Sequence, residues 1–207
     1  MNRSDIVNST DAQVLFELDP IFKEIHDEYG YPPNWKRPEG FISLARTILE
    51  QQVSLESGKA HFEQLNGYLT SFEPYTILQL SDEEFRQCQI SRQKASYLRE
   101  LSKAVSSGVL NFDHLSTMEF QLCRDTLTSI KGIGYWTTDI YQMICLQEKD
   151  IFPPGDVAIV NSVKKLTLLT EIDEIIERSE CWKPFRSLAS FYLWHFHLCK
   201  AGRTVVY

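Results

Sequence analysis

The feature that most constrains this chain is a Gly132-Ile133-Gly134 turn between two segments with helical patterning. The first segment ends near Ile130, and the second is predicted over Tyr135–Leu146. Glycine reaches positive φ without steric cost, so such a turn can reverse the chain within a few residues. It also directs backbone N–H groups to the start of the second helix, where the helix dipole favours an anion. The pattern predicts a tight turn that either packs two helices together or binds a phosphate.

Helical signals also dominate the rest of the sequence. The capping-box pattern, Ser or Thr followed three residues later by Glu or Gln, begins segments at Thr10, Ser81 and Ser116. From Thr10, apolar residues recur at helical spacing to Ile25, and Gly30 is predicted to end that helix. No run alternates apolar and polar residues with the period of a strand. The sequence therefore predicts an all-α protein of about ten helices.

Composition limits the size and setting of the protein. The 207 residues suffice for one domain or two small lobes, and 43% hydrophobic with 24% charged residues is ordinary for a folded chain. The N-terminus lacks the apolar core of a signal peptide, and no apolar run approaches the ~20 residues of a membrane span. We expect a soluble, intracellular protein, cytoplasmic and without a membrane partner.

The five cysteines are scattered and include no CxxC pair. This spacing argues against a zinc ribbon and against a clustered iron–sulfur site. Because free cysteine is among the most buried residue types, we expect buried, reduced thiols.

The formal net charge of −7 is unusual for a protein that binds nucleic acid, which normally relies on Lys and Arg. The charges are segregated, however. Acids crowd residues 82–84 and 171–180, whereas bases occur at 92–103, 131, 164–165 and 183–186. The sequence predicts a dipolar surface with one modest basic face, which argues against tight non-specific binding to long DNA.

A single acid, Asp156, follows Pro153-Pro154-Gly155, 156 − 134 = 22 residues after the second glycine of the turn. Aspartate is a favoured N-cap residue, so the plain interpretation is a helix start. A capping aspartate can also face a cleft, so a catalytic interpretation is compatible with the first.

Taken together, five ordered segments resemble a known family. They are FISLARTILEQQVS (41–54), ISRQKASYLREL (90–101), IKGIGYWTTDIY (130–141), DIFPPGDVA (150–158) and WKPFRSLASFYLW (182–194). The set resembles the helix-hairpin-helix (HhH-GPD) DNA glycosylase superfamily, and within it the alkylpurine branch of 3-methyladenine DNA glycosylase II. The resemblance runs from about Asp11 to Lys200. We expect no counterpart of the extra N-terminal domain that a bacterial member carries.

The resemblance implies an all-α, two-lobed fold. The central helical barrel lobe would cover residues 35–147 and end in the helix-hairpin-helix. Residues 1–34 and 148–207 would form the second lobe, which carries the catalytic aspartate.

The resemblance also implies roles for individual residues. Asp156 would be the catalytic carboxylate, and Trp136 and Trp194 the aromatic walls of the base pocket. Gly132, Ile133, Gly134 and Lys131 would contact the DNA backbone, and Gln52 would fill the gap left by the flipped base. The backbone carbonyls of Thr128, Ile130 and Ile133 would bind a monovalent cation, sodium or potassium. No organic cofactor and no iron–sulfur cluster is implied.

Departures from relatives refine the expected chemistry. Bifunctional members place a Schiff-base lysine where this chain has Trp136, and an indole cannot serve as an amine nucleophile. We therefore expect a monofunctional enzyme that hydrolyses the N-glycosidic bond of alkylated purines such as 3-methyladenine and 7-methylguanine. Ile140 and Val157 stand where a relative has tyrosines, so the pocket is expected to be less aromatic.

Two alternatives remain open from the sequence. One is a non-catalytic protein that binds abasic or distorted DNA, which the acidic net charge and the less aromatic pocket favour. The other is a glycosylase for mismatched or deaminated bases. The presence of Asp156 favours an enzyme. A carboxylate repels DNA phosphates, so a protein that only binds DNA has no chemical need of one beside them. The expected partner is double-stranded DNA with an alkylated base, bound by a monomer.

Overall fold

The computed structural model describes residues 5–203, which contain helices and no strand. The helices are α1 (Ser9–Leu18), α2 (Pro20–Tyr29), α3 (Phe41–Glu50), α4 (Leu55–Tyr68), α5 (Pro74–Gln79), α6 (Asp82–Gln87), α7 (Arg92–Ser106), α8 (Phe112–Leu115), α9 (Phe120–Thr128), α10 (Tyr135–Ile144), α11 (Val157–Thr167), α12 (Ile172–Glu180) and α13 (Arg186–Lys200). The all-α prediction is confirmed. None of these helices has the length and apolar character needed to cross a bilayer.

The described chain divides into two compact units. The central unit is Pro38–Tyr141, and the discontinuous unit comprises residues 5–37 and 142–203. Residues 35–37 and 142–147, which the sequence analysis places in the central lobe, group here with the discontinuous unit. The Arg37 N–H donates to the Ile144 carbonyl at 3.2 Å, and Trp35 packs edge-on against rings of α13, which accounts for this grouping.

The core of the central unit forms around α3 and α7. On α3, Leu44, Ala45, Ile48 and Leu49 are fully buried, at spacings that place them on one face of the helix. Leu98 and Leu101 are fully buried on α7. This burial places the segment after α3, Gln51–Val53, on a rigid support.

The core of the discontinuous unit is rich in aromatic side chains. Phe191, Tyr192 and Leu193 on α13 are completely buried, as is Trp182. The Trp182 Nε1–H donates to the carboxylate of Asp19 at 2.9 Å, and Asp19 also caps α2. This packing fixes the position of the α13 backbone in the discontinuous unit.

Two predicted N-caps, Thr10 and Ser116, are wrong because a nearby residue caps the helix instead. The N-terminal segment is two helices, because Pro20 begins α2 after the cap Asp19, and α1 is capped by Asn8 instead of Thr10. Glu119 caps α9 with its own carboxylate, so Ser116 is not the N-cap predicted there. The capping box at Ser81 is confirmed.

The expectation that all five cysteines are buried is also wrong. All five are free thiols, but Cys181 is exposed and Cys199 half-buried, whereas Cys88, Cys123 and Cys145 lie in the interior. Cys181 follows the end of α12, where no packed helix covers the side chain.

Candidate functional site

The predicted Gly-Ile-Gly turn connects α9 to α10 within the central unit. Ile130 and Ile133 are buried and anchor the turn, and the Ile133 N–H donates to the Ile130 carbonyl at 3.0 Å. Lys131 and Gly134 are exposed. The turn therefore presents a cationic side chain and the N-terminus of α10 to solvent.

Gly132 is required by both backbone conformation and space. Its φ is +95°, in the region that favours glycine. A Cβ built there would lie 2.1 Å from Cγ of Tyr97, far inside any real contact. Gly134 differs, since nothing lies within 4 Å of an added Cβ. The second glycine leaves open space beside the backbone, as the approach of a phosphate requires.

Gln51 ties the turn to the end of α3. Its side-chain Nε2 donates to the carbonyl of Gly132 at 2.9 Å and to the hydroxyl of Thr137 at 2.7 Å. This role has no signal in the sequence, because the partners are 81 and 86 residues away. The amide therefore fixes the position of the turn relative to the first part of α10.

An ion pair between a partly exposed arginine and a buried aspartate links the two helices of the hairpin. Arg124 on α9 donates to Asp139 on α10 at 2.5 Å, and its guanidinium lies 4.8 Å from the ring centre of Tyr135. Burial raises the pKa of Asp139 to about 6, although the Arg124 charge and hydrogen bond oppose that rise. This carboxyl is a structural part of the hairpin.

The raised pKa makes hairpin stability depend on pH. Because the folded pKa of about 6 exceeds the ordinary value of 3.8, the stabilisation from Asp139 is fully present below 3.8 and is lost as pH rises through about 6. Relative to Asp139→Asn, the wild type is expected to gain free energy of unfolding on the order of 1 kcal/mol between about pH 7 and pH 5. Urea unfolding of both proteins at the two pH values measures this. An unchanged difference would contradict a raised pKa.

Asp156 caps α11 in the discontinuous unit. Its side chain is 8% exposed, and its Oδ1 accepts the N–H groups of Ala158 at 3.0 Å and Ile159 at 3.1 Å. The predicted N-cap is confirmed. Val157, the next residue, is 72% exposed, so the buried carboxylate lies close to the surface.

Trp194 reaches the same carboxylate oxygen. Its indole Nε1–H donates to Oδ1 of Asp156 at 3.1 Å, across 38 residues of sequence. The half-buried ring stacks on Phe191 at 5.7 Å and meets Trp35 edge-on at 5.8 Å. Three donors on one oxygen thus orient the carboxylate, and sequence spacing carries no signal for the third.

Trp136 and Gln52 belong to the central unit. Trp136 lies half-buried in the first turn of α10, beside the 67% exposed Tyr135. Gln52 is exposed and holds a φ of +54°, which is strained for a residue with a side chain. Such strain often accompanies function. The roles assigned to both residues remain predictions.

A cavity of about 270 Å³ opens next to that turn. It is lined mainly by polar side chains, including Gln51, Gln52, His61, Gln93, Lys94 and Tyr97. The Lys94 ammonium donates to the Leu49 carbonyl at 2.6 Å, and burial lowers its pKa. The cavity is suited to polar groups and was not anticipated from sequence.

The predicted cation ligands lie at the end of α9 and in the turn. Backbone carbonyls are hard, neutral oxygens, which fit an alkali-metal ion better than a soft metal. The Ile130 carbonyl already accepts one hydrogen bond, leaving a second lone pair for an ion. In residues 5–203, no group of three His, Cys, Asp or Glu side chains is arranged to hold a metal.

The fold and the hairpin define a class of helical DNA-repair protein. Residues 45–187 match the family described as HhH-GPD superfamily base excision DNA repair protein. This chain belongs to that family, as the sequence predicted.

Known relatives agree with this assignment. The chain is 30% identical to DNA-3-methyladenine glycosylase 1 of Schizosaccharomyces pombe, over 93% of this chain and 90% of that protein. It is 31% identical to the DNA-3-methyladenine glycosylase of Bacillus subtilis over 76% of its residues, but spans only 57% of that protein. The structure of S. pombe 3-methyladenine DNA glycosylase (Mag1) in complex with abasic DNA superposes with a TM-score of 0.84, at 26% identity over 90% of this chain and 95% of that one.

Proposed function

We propose that this chain is a monofunctional DNA glycosylase that removes alkylated purines from double-stranded DNA by base flipping. The observation that carries the proposal is the buried Asp156 carboxylate, oriented by two backbone N–H groups and the Trp194 indole. Membership in a base excision repair family and similarity to DNA-3-methyladenine glycosylases support the same function.

The chemistry follows from charge. Alkylation at N3 or N7 gives the purine a positive charge, so the base leaves with the electron pair of the C1′–N bond and needs no general acid. The sugar then develops oxocarbenium character, which an oriented carboxylate stabilises. Water adds to C1′ and loses its proton, and an abasic site remains.

The base must leave the helix stack before the bond can be reached. Flipping costs roughly a few kcal/mol, and stacking of the cationic base on electron-rich indoles offsets part of that cost. Trp136 and Trp194 are proposed as these indoles, and Gln52 as the residue that occupies the vacated space.

The reaction is proposed to stop at the abasic site. Strand cleavage through a Schiff base needs an amine nucleophile, and Trp136 occupies the position where bifunctional relatives carry lysine. Borohydride reduction of a reaction mixture is therefore expected to trap no covalent protein–DNA adduct.

The hairpin is proposed to hold the DNA backbone. Exposed Lys131 and the N–H groups around Ile133 and Gly134 would meet a phosphate at the start of α10. The carbonyls of Thr128, Ile130 and Ile133 would hold a sodium or potassium ion, which when bound supplies positive charge toward the same phosphate. The protein is proposed to act as a monomer, in the cytoplasm with the DNA.

Base release from a methylated duplex tests the proposal, with 3-methyladenine and 7-methylguanine measured separately. Release of either base supports the function. Binding of an abasic-site duplex without release from any substrate would mean a damage-binding protein instead. Release only from mismatched or deaminated duplexes would mean a different substrate.

Trp194→Phe separates the two roles of this tryptophan. Phenylalanine keeps an aromatic face but loses the N–H that binds Asp156. Since one charge-assisted hydrogen bond is lost, the single-turnover rate of base release is expected to fall about tenfold, with affinity for abasic DNA nearly unchanged. An unchanged rate would mean that the indole N–H does not position the carboxylate.

A further inference from the structure

Most basic side chains in the discontinuous unit are already neutralised by acids. Their pairs are Lys23–Asp27, Lys36–Asp5, Lys149–Asp11, Arg178–Asp19, Lys183–Glu180, Arg186–Asp150 and Lys200–Glu28. Lys164 and Lys165 differ, because in the described residues neither ammonium has an ion pair or a hydrogen bond. In a chain of net charge −7, cations without acidic partners mark where phosphate can bind.

The two lysines occupy the last turn of α11, the helix that Asp156 begins. At a rise of about 1.5 Å per residue, they lie roughly 12–14 Å along the helix axis from Asp156. One DNA strand carries a phosphate about every 3.4 Å along its axis. The two lysines are therefore several phosphate spacings away from Asp156.

A hydrogen bond to α13 fixes the part of α11 that carries the two lysines. The Ser162 hydroxyl donates to the Leu193 carbonyl at 3.0 Å, which joins α11 to α13 three residues before Lys165. Burial chiefly lowers the pKa of His197, and the charges of Lys165 and Arg203 lower it further, while Asp156 opposes them. Lys165, His197 and Arg203 are thus electrostatic neighbours within reach of the Asp156 charge.

We propose that Lys164 and Lys165 form a phosphate-binding surface additional to the hairpin, and that this surface contacts the DNA backbone on the side of the target base where α11 ends. The proposal rests on the proposed function, because its ligand is the DNA substrate. It explains how a protein of net charge −7 can bind DNA, because within residues 5–203 no acid neutralises Lys164 or Lys165.

The lysines could instead only stabilise α11, and that role leads to a different expected result. Cations in the last turn of a helix interact favourably with the helix dipole. If that were their whole role, removing them would lower stability and leave the salt dependence of DNA binding unchanged.

The test compares two double variants of equal charge change. Lys164→Gln with Lys165→Gln removes the unpaired lysines, and Lys23→Gln with Lys183→Gln removes two exposed lysines that are ion-paired in the same unit. The dissociation constant for a duplex with a tetrahydrofuran abasic-site analogue is measured between about 50 and 200 mM KCl. The first variant is expected to reduce the slope of log K against log salt by about 1 to 2, and the control to leave it unchanged.

The outcomes separate this inference from the proposed function. If the wild type neither binds the duplex nor releases bases, the proposed function fails and this inference with it. If the wild type does both and the two double variants have equal slopes, only the second phosphate surface is wrong. Reduced stability of the first variant with an unchanged slope would assign the lysines to the helix dipole alone.

Discussion

Replacement of Asp156 by asparagine is expected to reduce base release by at least about 100-fold, while binding to an abasic-site duplex is nearly unchanged. Asparagine keeps an oxygen that can accept the N–H groups of Ala158, Ile159 and Trp194 but loses the negative charge. The rate loss therefore isolates charge stabilisation of the sugar cation. Single-turnover release of methylated purines, measured beside the dissociation constant, provides both numbers.

Glu171→Gln is the matched control for this substitution. Glu171 also stands at a helix N-cap of the same unit, is exposed and makes no side-chain cap bond, and its replacement changes the net charge equally. Since Asn and Asp cap helices about equally well, Asp156→Asn should unfold within about 0.5 kcal/mol of the wild type. Full release by a folded Asp156→Asn protein would remove the carboxylate from the mechanism.

Gly132→Ala is expected to lower the free energy of unfolding by about 2–4 kcal/mol. The residue holds a φ of +95°, and its new Cβ would lie 2.1 Å from Cγ and 2.3 Å from Cδ1 of Tyr97. The backbone must shift, which also disturbs the Gln51 bond to the Gly132 carbonyl. Urea or thermal unfolding measures the loss.

Gly134→Ala is the companion variant, which is expected to keep stability and to lose affinity for DNA. With no atom within 4 Å of the added Cβ, stability should stay unchanged or rise by up to about 1 kcal/mol. Affinity for an abasic-site duplex should fall about tenfold, because the methyl group lies where a phosphate would approach the backbone. Equal destabilisation by both alanines, or equal affinity, would contradict these separate roles for the two glycines.

Local chemistry explains which elements could be predicted. The cap at Ser81 and the helix start at Asp156 depend on partners two or three residues away, and both are present. The start at Thr10 failed because Asn8 lies two residues earlier and captures the N–H of Asp11. The division of the first helix could have been anticipated, since Pro20 directly follows the capping residue Asp19.

Within the site, the sequence and the resemblance indicated which residues to examine, but not the hydrogen bonds that hold them. Gln51 reaches Gly132 over 81 residues, and Trp194 reaches Asp156 over 38. The unpaired state of Lys164 and Lys165 also depends on which acids are already bound to other cations. None of these features has a periodicity or a spacing that reveals it.

The sequence by itself determined an all-helical chain, a reversal at Gly132 and a helix that begins at Asp156. These follow from backbone sterics, capping and apolar spacing, which act over a few residues. Only the tertiary structure decided that Tyr97 excludes a Cβ at Gly132, that Trp194 orients the carboxylate, and that two lysines have no acidic partner within residues 5–203. These features depend on which side chains the fold brings together from positions that are distant in the sequence.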